Sequence, residues 1–266
     1  MASILHERLD DVLGVVYEAE LAIMELYGAD GLKVYGKADN TPVTQADLAA
    51  HRILSEGLLE LSGIPVLSEE GDPDENAEIA GSDHFIALDP IDNTRGFIGH
   101  LGEFMVGVCE VRDGIPVWGV ASAPAEGETY WGGPGLGSFK QEGGEEPRPI
   151  RVQADSPTGV VMVSHRQGSA SPTAAYIERH YPDHLLSQAG SYLKFTQVAE
   201  GRADAYPRAG NGMQVWDVTP GHAIVTGAGG KVTSTTGSGI DYREWSPYWS
   251  NFVASGGAIP VGAGGV

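Results

Sequence analysis

Two carboxylates three residues apart, Asp89 and Asp92, bracket Pro90-Ile91 at the end of the apolar run Phe85-Ile86-Ala87-Leu88. Four apolar residues bounded by a Pro-containing turn predict a buried strand that ends at Asp89. Pro90 fixes its own φ and restricts the residue before it, so the turn is stiff. Asn93 is one of the few non-glycine residues that tolerates positive φ. Stiff backbone with two acidic side chains at a strand end suits hard divalent cations, which take oxygen ligands. For an isolated pair the plainer reading is a surface turn in an acidic protein. What weighs against it is the company the pair keeps.

The elements that must position such a site follow from apolar spacing. Leu5, Leu9, Val12, Val16, Ala19, Ile23 and Leu26 predict a helix over 3–27, with Gly28 as its stop. A second helix starts near Thr44 with Leu48, Ile53, Leu54, Leu58 and Leu61 inward, and Thr44 with Asp47 forms a capping box. Residues 71–83 are acidic and carry Gly and Pro, which predicts a mobile loop. Phe104–Val111 and Ile115–Ser122 predict a hairpin, Thr129-Tyr130-Trp131 a further strand, and 132–149 a looser hairpin. A subdomain boundary is placed near residue 150. Beyond it come a strand over 159–164, helices over 171–180 and 191–200, and a strand over 203–206. A helix then opens at Asp217, where Asp is a favoured N-cap and Pro220 is tolerated in the first turn. The Gly-rich end from Gly256 is expected to be disordered. Strands mixed with helices in two halves predict a layered α/β (α+β) architecture.

Composition narrows the function classes. With 266 residues, 41% hydrophobic content and five Trp, the chain can build a large core. A net charge of −20 argues against duplex DNA or an anionic membrane as partner, since both need a basic face. Cys109 is the lone cysteine, so an intrachain disulfide and a thiolate cluster are excluded, and its apolar neighbours predict an inert thiol. No stretch approaches the roughly 20 apolar residues that span a bilayer, and no leader pattern is present, so a cytoplasmic protein is expected.

The accompanying motifs are specific. Pro65-Val66-Leu67-Ser68-Glu69-Glu70, then Asp89-Pro90-Ile91-Asp92-Asn93-Thr94, then Trp216-Asp217-Val218-Thr219-Pro220-Gly221-His222-Ala223 stand in that order. Together they resemble the inositol monophosphatase superfamily of Mg-dependent, lithium-sensitive phosphatases, most of all its CysQ-type 3'(2'),5'-bisphosphate nucleotidases. The stretches Lys37–Asp47, Gly102-Glu103-Phe104, Gly190–Phe195 and Ala205–Arg208 support the same resemblance. It implies an α-β-α-β-α sandwich of the inositol monophosphatase/fructose-1,6-bisphosphatase type, working as a monomer or homodimer on a small phosphorylated substrate. It also implies two or three Mg²⁺ ions. Glu69, Asp89 and the Ile91 carbonyl would hold the first, Asp89, Asp92 and Asp217 the second, and Glu69 would touch a third. Asp47 would pair with Thr94 to activate the attacking water, with Glu70 just behind. For Asp47 the capping role competes with this one. Backbone N–H groups at Asn93 and Thr94 would cradle the phosphate.

Lys194 and Arg208 are candidate contacts for a second phosphate, with Gly190 and Ser191 opening the helix that carries Lys194. His165 stands in a stretch similar to a substrate-contacting segment of the nucleotidases. The chain departs from the nucleotidases' usual D-G-T-K-E-F at Asn93, Arg95 and Gly96, which bears on substrate choice. The leading expectation is a phosphatase acting on adenosine 3',5'-bisphosphate to give AMP and phosphate. The alternatives are an inositol or sugar phosphate monoesterase of the same fold and a non-catalytic divalent-cation-binding protein.

Overall fold

The computed structural model describes residues 3–29, 31–37, 41–154, 158–165, 168–244 and 251–257. The expected first helix is two: α1 (Ile4–Glu7) and α2 (Leu9–Leu26), interrupted at Arg8. α2 buries Val12, Val16, Ala19 and Ile23, and Gly28 follows it at φ 79°. A short ribbon of β1 (Val34–Gly36) and β2 (Pro42–Thr44) leads into α3 (Gln45–Ser62). Thr44 and Asp47 form the capping box that the sequence predicts. Leu54 and Leu58 are buried, but Leu48 is exposed. It stands six residues before Leu54, so it points about 120° away around the helix.

Seven strands form one sheet: β3 (Val66–Ser68), β4 (His84–Asp92), β5 (Met105–Arg112), β6 (Ile115–Ala123), β7 (Glu128–Gly133), β8 (Gly137–Glu142) and β9 (Arg148–Ile150), in that spatial order. β3 runs parallel to β4 and the others pair antiparallel. α4 (Pro73–Ile79) occupies the segment expected to be a loop. Asp72 caps it by accepting from the N–H groups of Asp74 and Glu75, and Pro73 sits at its first position. α5 (Thr94–Ile98) follows β4. β4 does not stop at Asp89 but continues to Asp92, with its register broken between the two. Pro90 lacks an N–H for the ladder, which accounts for the break.

A second sheet has the order β11-β10-β12-β14-β13. Its strands are β10 (Val160–Ser164), β11 (Leu185–Ala189), β12 (Ala205–Arg208), β13 (Lys231–Ser234) and β14 (Phe252–Ser255), with helices α6 (Pro172–His180), α7 (Leu193–Ala199) and α8 (Thr219–Gly227). Arg208 is therefore the last residue of a strand rather than a loop residue after one. Asp217 does not cap α8; Val218 holds that position without a side-chain bond. The Asp217 carboxylate instead accepts from the Gln214 N–H at 2.5 Å. Residues 258–266 of the Gly-rich end lie outside the described residues.

Alternation along β4 builds the layers. Ile86 and Leu88 face α2 and α3, in one apolar cluster with Val12, Ile23, Leu54 and Leu58. Phe85 and Ala87 face the other way, in a cluster with Leu193, Phe195, Ala223, Ile224, Tyr206 and Phe252. That second cluster places α7 and α8 between the two sheets. A third, with Ile177 and Tyr181, covers the outer face of the five-stranded sheet. The result is helices, sheet, helices, sheet, helix, as the resemblance implies. Two glycines permit the tight middle layer. A Cβ on Gly221 would lie 2.3 Å from the Phe195 ring, and one on Gly119 3.2 Å from both Pro220 and Ala223. Among the described residues no helix is long and apolar enough to cross a membrane. Cys109 is fully buried and burial pushes its thiol far up, so it is inert.

Candidate active site

The acidic centre is assembled from β4 and a turn more than a hundred residues away. Asp89, Asp92 and Asp217 bring carboxylate oxygens within 4.8 Å of one another. Asp89 is 1% exposed. Its Oδ1 accepts from the Ile91 N–H at 3.1 Å, whereas its buried Oδ2 has no partner. Burial pushes the Asp89 carboxyl well up, and the charges of Glu69, Asp92 and Asp217 push it further. Asp217 is raised by burial and by Asp92. Asp92 is raised by burial, against the pull of Lys194. Three crowded, partly desolvated carboxylates repel one another, and a divalent cation is what relieves this. The all-oxygen donor set and the orphaned Asp89 Oδ2 fit a hard cation.

Beyond the end of β3, Glu69 donates its N–H to the Leu88 carbonyl at 3.1 Å, which ties it to β4 beside Asp89. Lys37 reaches over from the β1–β2 ribbon. Its Nζ lies 2.8 Å from Glu69 Oε1 and 2.6 Å from Glu70 Oε1. Burial pulls the Lys37 ammonium down, but the two carboxylates outweigh it and hold it at about 12. Burial likewise pushes Glu70 up to about 7, against the pull of Lys37.

Asp47 divides its oxygens between the cap contact and the contact with Thr94, so the geometry accommodates both expected roles. Oδ2 accepts from the Thr44 N–H at 2.7 Å and the Thr44 hydroxyl at 2.6 Å. Oδ1 accepts from the Thr94 hydroxyl at 3.0 Å. The same hydroxyl lies 3.2 Å from the Ile91 carbonyl. Asn93 precedes Thr94 in the left-handed region at φ 71° and donates its amide to the Glu103 carbonyl at 2.6 Å. This turn places Thr94 at the start of α5, facing Asp47.

The opposite wall comes from the five-stranded sheet. Gly190 and Ser191 do not open α7, which begins at Leu193; Ser191 turns the chain at φ 47° instead. Lys194 is not a solvated charge but 6% exposed. Its Nζ donates to the Ser191 carbonyl at 2.5 Å and lies 5.3 Å from the Tyr206 ring centroid. Burial lowers it to about 8, opposed by Asp92 and Glu103. Arg208 donates from Nη2 to the Asn211 carbonyl at 3.1 Å, while its buried Nε has no partner. His165 donates from Nε2 to Glu103 Oε2 at 2.5 Å.

One cavity of about 530 Å³ joins these walls. It is lined by Glu69, Asp89, Ile91, Asp92, Asn93, Thr94, His165, Gly190, Ser191, Lys194, Arg208 and Asp217. Asp47 and Glu70 stand behind that lining, Asp47 joined to it through Thr94 and Glu70 through Lys37 and Glu69. Among the described residues, three of the seven buried polar side-chain atoms without a partner line it: Asp89 Oδ2, Ser191 Oγ and Arg208 Nε. The motifs give no role to Lys37 or Glu103, whereas Arg95, a departure that bears on substrate choice, lines the cavity. The signal for Glu103 was its place between a turn-forming Gly102 and a core-forming Phe104.

Comparison with known proteins agrees with this geometry. A model of the inositol monophosphatase family matches residues 6–259. The chain is 37% identical over 236 residues to the 3'(2'),5'-bisphosphate nucleotidase CysQ of Escherichia coli O157:H7, covering 88% of this chain and 93% of that one. It is 35% identical over 244 residues to the protein of the same name from Buchnera aphidicola, covering 90% and 89%. The crystal structure of CysQ from Bacteroides thetaiotaomicron superposes with a TM-score of 0.81 at 29% identity, covering 94% of this chain and 97% of that one. Fold, motif order and sequence thus converge, and the chain belongs to the inositol monophosphatase family.

Proposed function

We propose that this chain hydrolyses the 3'-phosphate of adenosine 3',5'-bisphosphate, giving AMP and inorganic phosphate. It is a phosphatase, as its family and its nucleotidase relatives indicate. The observation that carries the finer reading is the pairing, within one cavity, of a carboxylate cluster with two cationic side chains, Lys194 and Arg208. A bisphosphate has one phosphate to cleave and one to hold. The unpartnered Arg208 Nε supports a role in holding an anion.

The cation assigned here is Mg²⁺, two or three per site. Glu69, Asp89 and the Ile91 carbonyl would hold one, Asp89, Asp92 and Asp217 a second, with Glu69 touching a third. Bound there, the cations supply positive charge that neutralises phosphoryl oxygens and acidifies water. The chain's own groups do the rest. The Thr94 hydroxyl donates to Asp47, which leaves its lone pairs for a water proton. Asp47, with its carboxyl raised by burial, takes up the charge of that transfer. Glu70 stands just behind and shares Lys37 with Glu69, which helps to position the site. The backbone N–H groups at Asn93 and Thr94 would cradle the phosphate. Water oxygen adds to phosphorus as its proton passes through Thr94 to Asp47, the bond from phosphorus to the 3' oxygen breaks, and that oxygen takes a proton from solvent as it leaves, while Asp47 later returns its own to solvent. The reading carries with it a cytoplasmic setting and a monomer or homodimer.

The test is phosphate release from nucleoside 3',5'-bisphosphates, inositol phosphates and fructose bisphosphate with Mg²⁺, on wild type and Arg208→Ala. Loss of one charged hydrogen bond, about 1.5–3 kcal/mol, raises KM for the bisphosphate about tenfold or more and leaves inositol 1-phosphate nearly unaffected. Equal losses on both substrates would overturn the nucleotidase reading in favour of the monoesterase. No turnover of any phosphate ester would leave only a cation-binding protein.

A further inference from the structure

We propose that Glu103 is a positioning residue that holds the substrate-facing wall of the second sheet against the turn of the first. β10 and β11 are parallel neighbours, and Ser164 pairs with Ala189 at their carboxyl ends. The next residues, His165 and Gly190, therefore emerge side by side. A single oxygen, Glu103 Oε2, accepts from both: from His165 Nε2 at 2.5 Å and from the Gly190 N–H at 3.0 Å. From its main chain the same residue accepts the Asn93 amide at 2.6 Å. One residue thus ties three segments that line the cavity.

The anchor is itself rigid. Gly102, at φ 74°, donates its N–H to the Tyr27 hydroxyl at 3.1 Å. Phe104 is fully buried, with its ring 4.9 Å from Tyr27 and 5.0 Å edge-on from Phe97. The fit is close on the far side as well. A Cβ on Gly190 would lie 2.5 Å from Asn93 Nδ2 and 3.0 Å from Glu103 Oε2, so only glycine allows the turn to approach. A carboxylate beside an anion-binding cavity is unfavourable unless its charge is engaged, and His165 with the Gly190 N–H engages it. Because a carboxylate only accepts, His165 must carry its proton on Nε2. Among the described residues Nδ1 makes no hydrogen bond, and it is the ring nitrogen left for a ligand. Glu103 thereby sets both the tilt and the free nitrogen of His165, along with the position of the Gly190–Ser191 turn. The main-chain bond to Asn93 survives side-chain substitution, so the carboxylate can be tested alone.

The kinetic arm rests on the nucleotidase reading; a second arm does not. Glu103→Ala should raise KM for adenosine 3',5'-bisphosphate about tenfold, keep kcat within about threefold and leave half-saturating Mg²⁺ unchanged. By hydrogen exchange in the substrate-free protein, the Gly190 amide should exchange at least about tenfold faster, while Val106 and Val108 in β5 keep their rates. Glu103→Gln, which retains an oxygen for Gly190, should recover most of the Gly190 protection and part of KM. Unchanged Gly190 exchange, or losses in kcat with a shifted Mg²⁺ dependence, would overturn the proposal. General loss of protection in Glu103→Ala would mean a folding role, and Glu103→Gln then decides. If wild type fails to hydrolyse the bisphosphate, the nucleotidase reading falls while the exchange result still judges Glu103.

Discussion

Thr94→Val isolates the proton-transfer role proposed for the Thr94–Asp47 pair from everything else the site does. Valine keeps the shape of the buried threonine and removes only its hydroxyl. That hydroxyl is the partner of Asp47 Oδ1 at 3.0 Å. Oδ2 keeps both of its bonds to Thr44, so the start of α3 stays capped. Orphaning one buried carboxylate oxygen costs about 1–3 kcal/mol. For a chain of this size that lowers Tm by roughly 2–10 °C. The effect on rate should be larger. A positioned proton-transfer group contributes about 10²–10⁴, which is about 3–5 kcal/mol of barrier. Thr44→Ala is the matched control. It weakens the cap by about 0.5–2 kcal/mol and leaves Oδ1 with Thr94, so kcat should fall less than about tenfold. Both variants are assayed for phosphate release at saturating Mg²⁺ and substrate, and melted in the same buffer. Thr94→Val retaining more than about a tenth of kcat would refute the reasoning, as would Thr44→Ala falling equally far.

Asp89→Asn should lower phosphate release by at least roughly a hundredfold. It should also raise the Tm of the metal-free protein, because it removes one of several mutually repelling carboxylates; an unchanged or lower metal-free Tm counts against the cluster as described. His222 is buried, with Nδ1 2.9 Å from the Tyr242 hydroxyl, and burial lowers it to about 3. The unfolded chain therefore binds one more proton than the folded chain between the ordinary histidine value and about 3. That contribution to stability is full above the ordinary value and is lost as pH falls, with a slope of up to about 1.4 kcal/mol per pH unit. Denaturant titration of His222→Gln across this window should show a shallower slope, and an identical slope would refute the assignment. A Cβ on Gly96 would lie 2.4 Å from Asn93 Nδ2. Gly96→Ala should thus destabilise the protein by about 1–3 kcal/mol, and Asn93→Gly added to it should recover at least half; additive losses would show that the two positions are not coupled.

Local chemistry was the legible part. The capping box reads from sequence because its partners stand three residues apart, and the apolar stripe of α2 reads because its period is that of a helix. The contact of Asp47 with Thr94 joins residues 47 positions apart, and only motif resemblance anticipated it. Asp217 misled because Asp favours N-caps in general, whereas here its carboxylate turns back onto Gln214. The Asp72-Pro73 start of α4 carried a sound helix signal that the acidic, Gly- and Pro-bearing composition of the segment masked. The burial of Lys194 was not readable from its charge. It arises because α7 is enclosed between two sheets, one of whose strands, β14, pairs with both β12 and β13 across the sequence. β11 was missed because it is a largely exposed edge strand whose alternation is weak.

The seven-stranded sheet is complete at Ile150, where β9 ends, and the shared middle layer gives that order along the chain a consequence during synthesis. The first 150 residues encode the seven-stranded sheet and the helices that cover one of its faces. The cover for the other face, α7 and α8, is encoded afterwards. Until then Phe85, Met105, Cys109, Val111 and Tyr130 present an apolar surface with nothing upon it. α8 is complete only at Gly227, roughly eighty residues later, which at about 5–20 residues per second is about 4–15 s. A sheet that forms on the nascent chain before α8 emerges would therefore carry a bare apolar face for several seconds, the kind of surface that invites aggregation.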